Sequence, residues 1–196
     1  IIKNSNTSSS TSSNYVFYLN SAKYVTVRNL TLQRTHSSYA TAVRFANSAQ
    51  YNTVENCIMN GGGTSSSSYS SRVYGTSLRY AHHNVIKNNV IDRGAYGIYW
   101  RGTSSSSTSL SPDNEFSGNT MTNQYSYCIY KYYTKNQKIN NNTITSTLSG
   151  SIYAIYAYYG DGALEIKNNS GSLTGNTSTT CALYIQYCDG TSTSHA

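Results

Sequence analysis

Asn84-Val85-Ile86-Lys87-Asn88-Asn89-Val90-Ile91, with Gly97-Ile98-Tyr99-Trp100 shortly after it, decides the fold. Its core, Ile86-Lys87-Asn88-Asn89-Val90-Ile91, is an apolar-x-Asn/Gly-x-x-apolar motif that recurs along the chain. The copies begin at Val27, Val54, Ile86, Phe116, Ile139 and Ile166, with spacings of 27, 32, 30, 23 and 27 residues. A period of this size with one short unit per repeat is the signature of stacked coils that cannot bury their apolar faces singly.

The second piece, Ile98-Tyr99-Trp100, also recurs. Its copies read Val16-Phe17-Tyr18, Val43-Arg44-Phe45, Leu78-Arg79-Tyr80, Ile129-Tyr130-Lys131, Ile155-Tyr156-Ala157 and Leu183-Tyr184-Ile185. First and third residues are apolar except at Lys131, the alternation of a strand with one buried face. Seven such strands predict about seven coils, with the repeats covering residues 15–190 of a single domain spanning 1–196. Ser-rich runs at residues 64–71 and 103–111 fall where the period lengthens and read as loop insertions.

Asparagine falls into registers. Asn89, Asn119, Asn142 and Asn169 form one; Asn52, Asn84 and Asn114 form another, two residues before the apolar start. At a bend between strands, an Asn side chain bonds backbone groups that the sheet leaves unpaired and its own copy one coil away. Leu30 and Cys57 replace the ladder Asn in the first two coils.

These coils resemble the right-handed parallel β-helix repeats of secreted bacterial surface proteins. The resemblance implies an all-β solenoid without helices, exported to the cell surface or outside. It does not single out an activity, because pectinolytic enzymes, epimerases, adhesins and stalks share that fold.

Composition agrees with an exported scaffold. Among 196 residues are 33 Ser, 23 Thr, 22 Asn and 21 Tyr, while charged residues make up 11%. An ordinary cytosolic enzyme carries about 25% charge. The aromatic and β-branched content argues against disorder, and no apolar run is long enough to span a membrane as a helix. A net charge of +7 favours anionic partners, acidic polysaccharide ahead of nucleic acid. Cys57, Cys128, Cys181 and Cys188 form no CxxC pair. Cys181 and Cys188, in one extended run, would stand about 23 Å apart, too far for a disulfide.

The middle residue of each second motif points outward if its neighbours point in. That column reads Phe17, Arg44, Arg79, Tyr99, Tyr130, Tyr156 and Tyr184, with Tyr132, Tyr133, Tyr158, Tyr159 and Tyr187 beside it. Aromatic rings offer flat area to sugars and Arg pairs with carboxylates or sulfates. Arg44, Arg79, Tyr99, Tyr130, Tyr156 and Tyr184 are therefore the candidate glycan-binding residues. Stacked tyrosines are equally good strand residues in their own right, and Tyr with Arg also suits a protein interface.

For catalysis, the enzymes this chain resembles use paired acids, calcium or an Asp-Pro-His motif. Asn-Thr-Asp, Asp-Asp and Asp-Pro-His are all absent, and the seven acids show no cluster. A basic group remains, Arg79, His82, His83, Arg93 and Arg101 near Tyr99. From it Arg79, His82, His83 and Tyr99 could serve a metal-free polysaccharide lyase, Arg neutralising a uronate and His or Tyr moving the proton. His82-His83 reads equally as a turn dipeptide. No metal spacing or cofactor loop is present. Neither end reads as a capping element, so the chain is expected to be an excerpt of a longer β-helix or a subunit stacking end to end. The leading expectation is a non-catalytic surface or matrix module; a lyase and a purely structural stalk or filament subunit are the alternatives.

Overall fold

A computed structural model of the chain describes residues 1–10, 13–62, 70–104, 110–148, 151–174 and 179–189. Most of both Ser runs, and His195, lie outside the described residues. The described chain forms 19 strands and no α-helix.

The strands wind over three faces. Face A holds β2 (Tyr15–Asn20), β5 (Thr41–Ala46), β8 (Ser71–Leu78), β11 (Tyr96–Gly102), the first parts of β15 (Tyr127–Asn140) and β17 (Ile152–Lys167), and β19 (Thr180–Asp189). Face B holds β3 (Thr26–Arg28), β6 (Thr53–Glu55), β9 (Val85–Lys87), β13 (Glu115–Ser117) and the latter parts of β15 and β17. Face C holds β1 (Ile2–Asn4), β4 (Thr31–Arg34), β7 (Ile58–Asn60), β10 (Val90–Asp92), β14 (Thr120–Thr122), β16 (Thr143–Ser146) and β18 (Ser170–Leu173). A two-residue strand, β12 (Ser111–Pro112), pairs with β15. Each strand pairs in parallel with its counterpart one coil away.

Among the described residues the turns from β2 to β18 number six, against the seven expected. The seventh copy of the second motif is β19, which no B or C strand follows among the described residues, so counting face A strands overstates the turns by one.

Inward columns fill the solenoid. On face B they read Val27, Val54, Ile86, Phe116 and Ile139; on face C, Leu32, Met59, Ile91, Met121 and Ile144, all buried. Trp100 lies centrally, its ring 5.0 Å from Phe45 and 5.5 Å from Phe116. Its ring N–H, which burial obliges to find an acceptor, donates to Ser111 Oγ at 2.9 Å.

Both asparagine ladders form at the bends. Asn52 Nδ2 donates to Asn84 Oδ1, and Asn84 Nδ2 to Asn114 Oδ1, each at 3.0 Å. Asn89, Asn119, Asn142 and Asn169 continue likewise at 3.0, 3.1 and 2.9 Å. Cys57 ends that ladder, its backbone N–H donating to Asn89 Oδ1 at 2.9 Å. The residue before each ladder position turns the chain through the left-handed region, as at Asn56, Asn88, Asn141 and Asn168 with φ between 52° and 57°. Asn tolerates that conformation better than other side chains.

Candidate functional site

Face A carries the candidate site on its outer side. Register places Tyr18, Arg44, Tyr74, Tyr99, Tyr130, Tyr156 and Tyr184 in one outward column. Two expected members are corrected. Phe17 pairs with Val43 and packs partly buried against the core, and Tyr18 takes the outward place. Residues 15–19 are all aromatic or aliphatic, so no polar residue marks the outward position.

Arg79 lies beyond β8, exposed on a bend, and Tyr74 holds its expected position. Here Gly75 stands where the motif demands a large apolar residue. A Cβ on Gly75 would come within 2.8 Å of both the Trp100 ring and Leu78. Trp100, one coil away, fills the space that Gly75 leaves, which removes the apolar-x-apolar signature from Val73-Tyr74-Gly75.

Two columns of rings run side by side. Tyr99, Tyr130, Tyr156 and Tyr184 stack at 4.9, 5.2 and 4.7 Å, tilted by 11°, 6° and 3°. Tyr96, Tyr127 and Tyr153 stack at 4.9 and 5.1 Å. The columns meet edge to face, as in Tyr127–Tyr130 at 5.2 Å and 74°. This second column went unassigned in the sequence, although Tyr96…Tyr99, Tyr127…Tyr130 and Tyr153…Tyr156 repeat one three-residue spacing. That spacing breaks strand alternation, because two buried residues, such as Cys128 and Ile129, stand between the outward rings. Tyr132–Tyr158 and Tyr133–Tyr159–Tyr187 extend the array toward the A–B bend.

Stacking decides what this face can offer. Each inner ring has both faces covered by its neighbours, and Tyr74 and Tyr99 are only 7% and 8% exposed. A sugar cannot lie flat on such rings. What the stack presents is ring edges and hydroxyls already tied to neighbours, Tyr184 donating to Gln186 Oε1 and Tyr99 bonding Arg101, repeated at the coil spacing of about 4.8 Å. Burial, then the neighbouring phenols, pushes the Tyr156 hydroxyl up to about 12 and raises those of Tyr96 and Tyr130 further. These hydroxyls stay protonated, as donors and acceptors, throughout the neutral range.

Two cations border the rings. The Arg44 guanidinium sits 4.9 Å from the Tyr18 ring centre. Arg101, exposed at the end of β11, lies 5.2 Å from the Tyr132 ring and hydrogen-bonds Tyr99. Burial works against its charge, but the Tyr99 bond and surrounding phenols outweigh that and raise its pKa. In sequence Arg101 belonged to the basic group considered for catalysis; in space it flanks the tyrosines.

His82 and His83 lie elsewhere, at the bend entering face B. Their Nδ1 atoms are 2.7 Å apart, and Tyr51 stacks on His83 at 4.9 Å. Burial first, then His83, lowers the His82 pKa. The neighbours of Tyr99 are instead Tyr74, Tyr96, Tyr130 and Arg101. The structure therefore does not gather Arg79, His82, His83 and Tyr99 into one constellation. Among the described residues, no three His, Cys, Asp or Glu side chains are placed to hold a metal ion.

The family model described as "Right handed beta helix region" matches residues 1–171. The chain belongs to that family. The match supplies the handedness of the coil and stops within β18, while β19 continues the face A register beyond it. No curated protein and no solved structure matches the chain. A right-handed β-helix is consistent with carbohydrate-related and structural roles.

Proposed function

We propose that this β-helix is a non-catalytic extracellular surface or matrix module that binds acidic polysaccharide on face A. Export by a bacterium and location at the cell surface belong to the same proposal. The observation that carries it is the ordered row of phenol hydroxyls with Arg44 and Arg101 at its margins. An extended polymer lying along the coil axis meets a hydroxyl at every turn. Carboxylates or sulfates on that polymer pair with the two guanidiniums. Arg44, Tyr99, Tyr130, Tyr156 and Tyr184 remain in the site; Arg101 takes the role first given to Arg79.

Titration with a polyuronate and with an uncharged polysaccharide of equal length tests this. The acidic polymer is expected to bind and the neutral one far more weakly. Arg101→Ala should lose about fivefold in affinity, the worth of about 1 kcal/mol for an exposed charged contact. Equal binding of both polymers, or an unaffected Arg101→Ala, contradicts the assignment.

A second reading, assembly through coil ends, is favoured by the apolar edge of β19. Leu183 and Ile185 are 47% and 49% exposed there, beside a cleft of about 610 Å³ lined by Ile144, Ile155, Ile166 and Leu173. A further coil, carried by the same polypeptide or by a second copy, would cover it. Sedimentation of the purified chain with and without Leu183→Asp tests whether copies associate through this edge.

A further inference from the structure

Lys131 is the one second-motif residue that breaks the apolar pattern, yet it points inward and is 1% exposed. It occupies the column of Trp100 and Ala157. Space for it comes from Gly160, in the next coil. A Cβ there would lie 2.5 Å from Lys131 Nζ and 3.1 Å from Cys188 Sγ, so amine and thiol flank the same gap. Gly160 is the register partner of Cys188, and Cys188 Sγ also faces the Ala157 carbonyl at 3.6 Å. The lysine chain thus crosses the level of β17 and ends against β19.

Asp161 is engaged with Lys135 at 3.0 Å, and among the described residues Lys131 forms no ion pair. An ammonium buried without a carboxylate is costly, so burial lowers the Lys131 pKa, with Cys188 working the other way. The thiol opposite is half-buried and within reach of a small oxidant. Cys57 and Cys128 are buried, and burial pushes the Cys128 thiol up to about 12, which keeps it inert.

We propose that Lys131 and Cys188 form an oxidant-triggered covalent clamp that ties β19 to β15 across β17. Hydrogen peroxide oxidises the Cys188 thiol to a sulfenic acid, releasing one water. The Lys131 amine, once it has given up its ammonium proton to solvent, then attacks that sulfur. The S–O bond breaks, a second water leaves carrying the amine proton, and an S–N sulfenamide bond remains. One thiol, one amine and one peroxide give one sulfenamide and two waters. The clamp fastens a strand that, among the described residues, pairs on one edge only and carries exposed side chains, where opening is easiest.

Peroxide treatment of the Cys181→Ser protein, followed by intact and peptide mass spectrometry, tests the proposal. The expected result is loss of two hydrogens, one peptide joining Lys131 to Cys188, blocked trypsin cleavage after Lys131, and full reversal by dithiothreitol. In Lys131→Met, Cys188 should proceed to sulfinic acid. Cys188→Ser should show no linkage, and peroxide should slow amide exchange in β19 only when both residues are present. Should Lys131→Met fail to fold, the linked peptide and its loss in Cys188→Ser decide the matter. Cys188 recovered as sulfinic acid beside an unmodified Lys131 in the otherwise native chain overturns it.

Discussion

At the scale of single residues, the asparagine ladders are the clearest case of sequence dictating structure. Asn119 accepts from the Asn89 backbone at 3.1 Å and side chain at 3.0 Å. It donates to the Ile86 carbonyl at 2.9 Å and to Asn142 Oδ1 at 3.1 Å. Asn119→Ala takes these partners from the Asn89 N–H and the Ile86 carbonyl, both buried in the neighbouring coil, and should cost about 3 kcal/mol or more, read from the urea midpoint. Asn169→Ala, at the half-buried end of the ladder, should cost less. Gly97→Ala tests backbone approach, since its Cβ would fall 2.6 Å from the Cys128 carbonyl oxygen. A lowered melting temperature is expected, without any change in left-handed strain. The ladders are legible because the bend chemistry is local and repeats in register. Tyr74 was not legible because its signal depended on Gly75, whose missing side chain is supplied by Trp100 from another coil. Lys131 has the same character: only the gap at Gly160 explains how a lysine fits an inward position.

At the scale of elements, the face A strands owe their outer surface to ring stacking. Stacked and edge-to-face pairs add about 0.5–1.5 kcal/mol each beyond area burial. The same packing raises phenol pKa values above the ordinary 10.0, to about 12 at Tyr132 and Tyr156. Tyr132 owes this first to its hydrogen bond with Tyr133, Tyr156 first to burial. Unfolded tyrosines ionise nearer pH 10, while Tyr132 and Tyr156 hold their protons to higher pH in the folded chain. Their contribution to stability is complete below pH 10 and disappears as pH rises through about 12. Alkaline titration should therefore show phenolate absorbance appearing together with loss of β signal over that window. Ionisation of Tyr132 and Tyr156 near pH 10 with the fold intact, read as phenolate absorbance lost in Tyr132→Phe/Tyr156→Phe, would contradict the packing described here. One column was readable in part from periodicity, but the second column and the covering of ring faces were not, because they depend on how adjacent coils tilt their side chains.

At the scale of the molecule, the six turns of coil among the described residues turn a sequence of low charge into a long, regular surface. The fold was visible in the repeat, and the family match agrees with it. The site was visible only in part, since a column of residues can be inferred from spacing while the exposed atoms cannot. Net charge of +7 adds a long-range attraction for anionic polymer. Affinity for a polyuronate should fall steadily as salt is raised, because screening over about 10 Å at 0.1 M reaches these exposed cations. Salt-independent binding would point to a different face. The most direct measurement removes hydroxyls alone: polyuronate affinity of Tyr130→Phe/Tyr156→Phe against the native chain, with melting temperatures compared in parallel. Weaker binding at near-native stability is expected if the phenol row is the binding element. Unchanged affinity would contradict it.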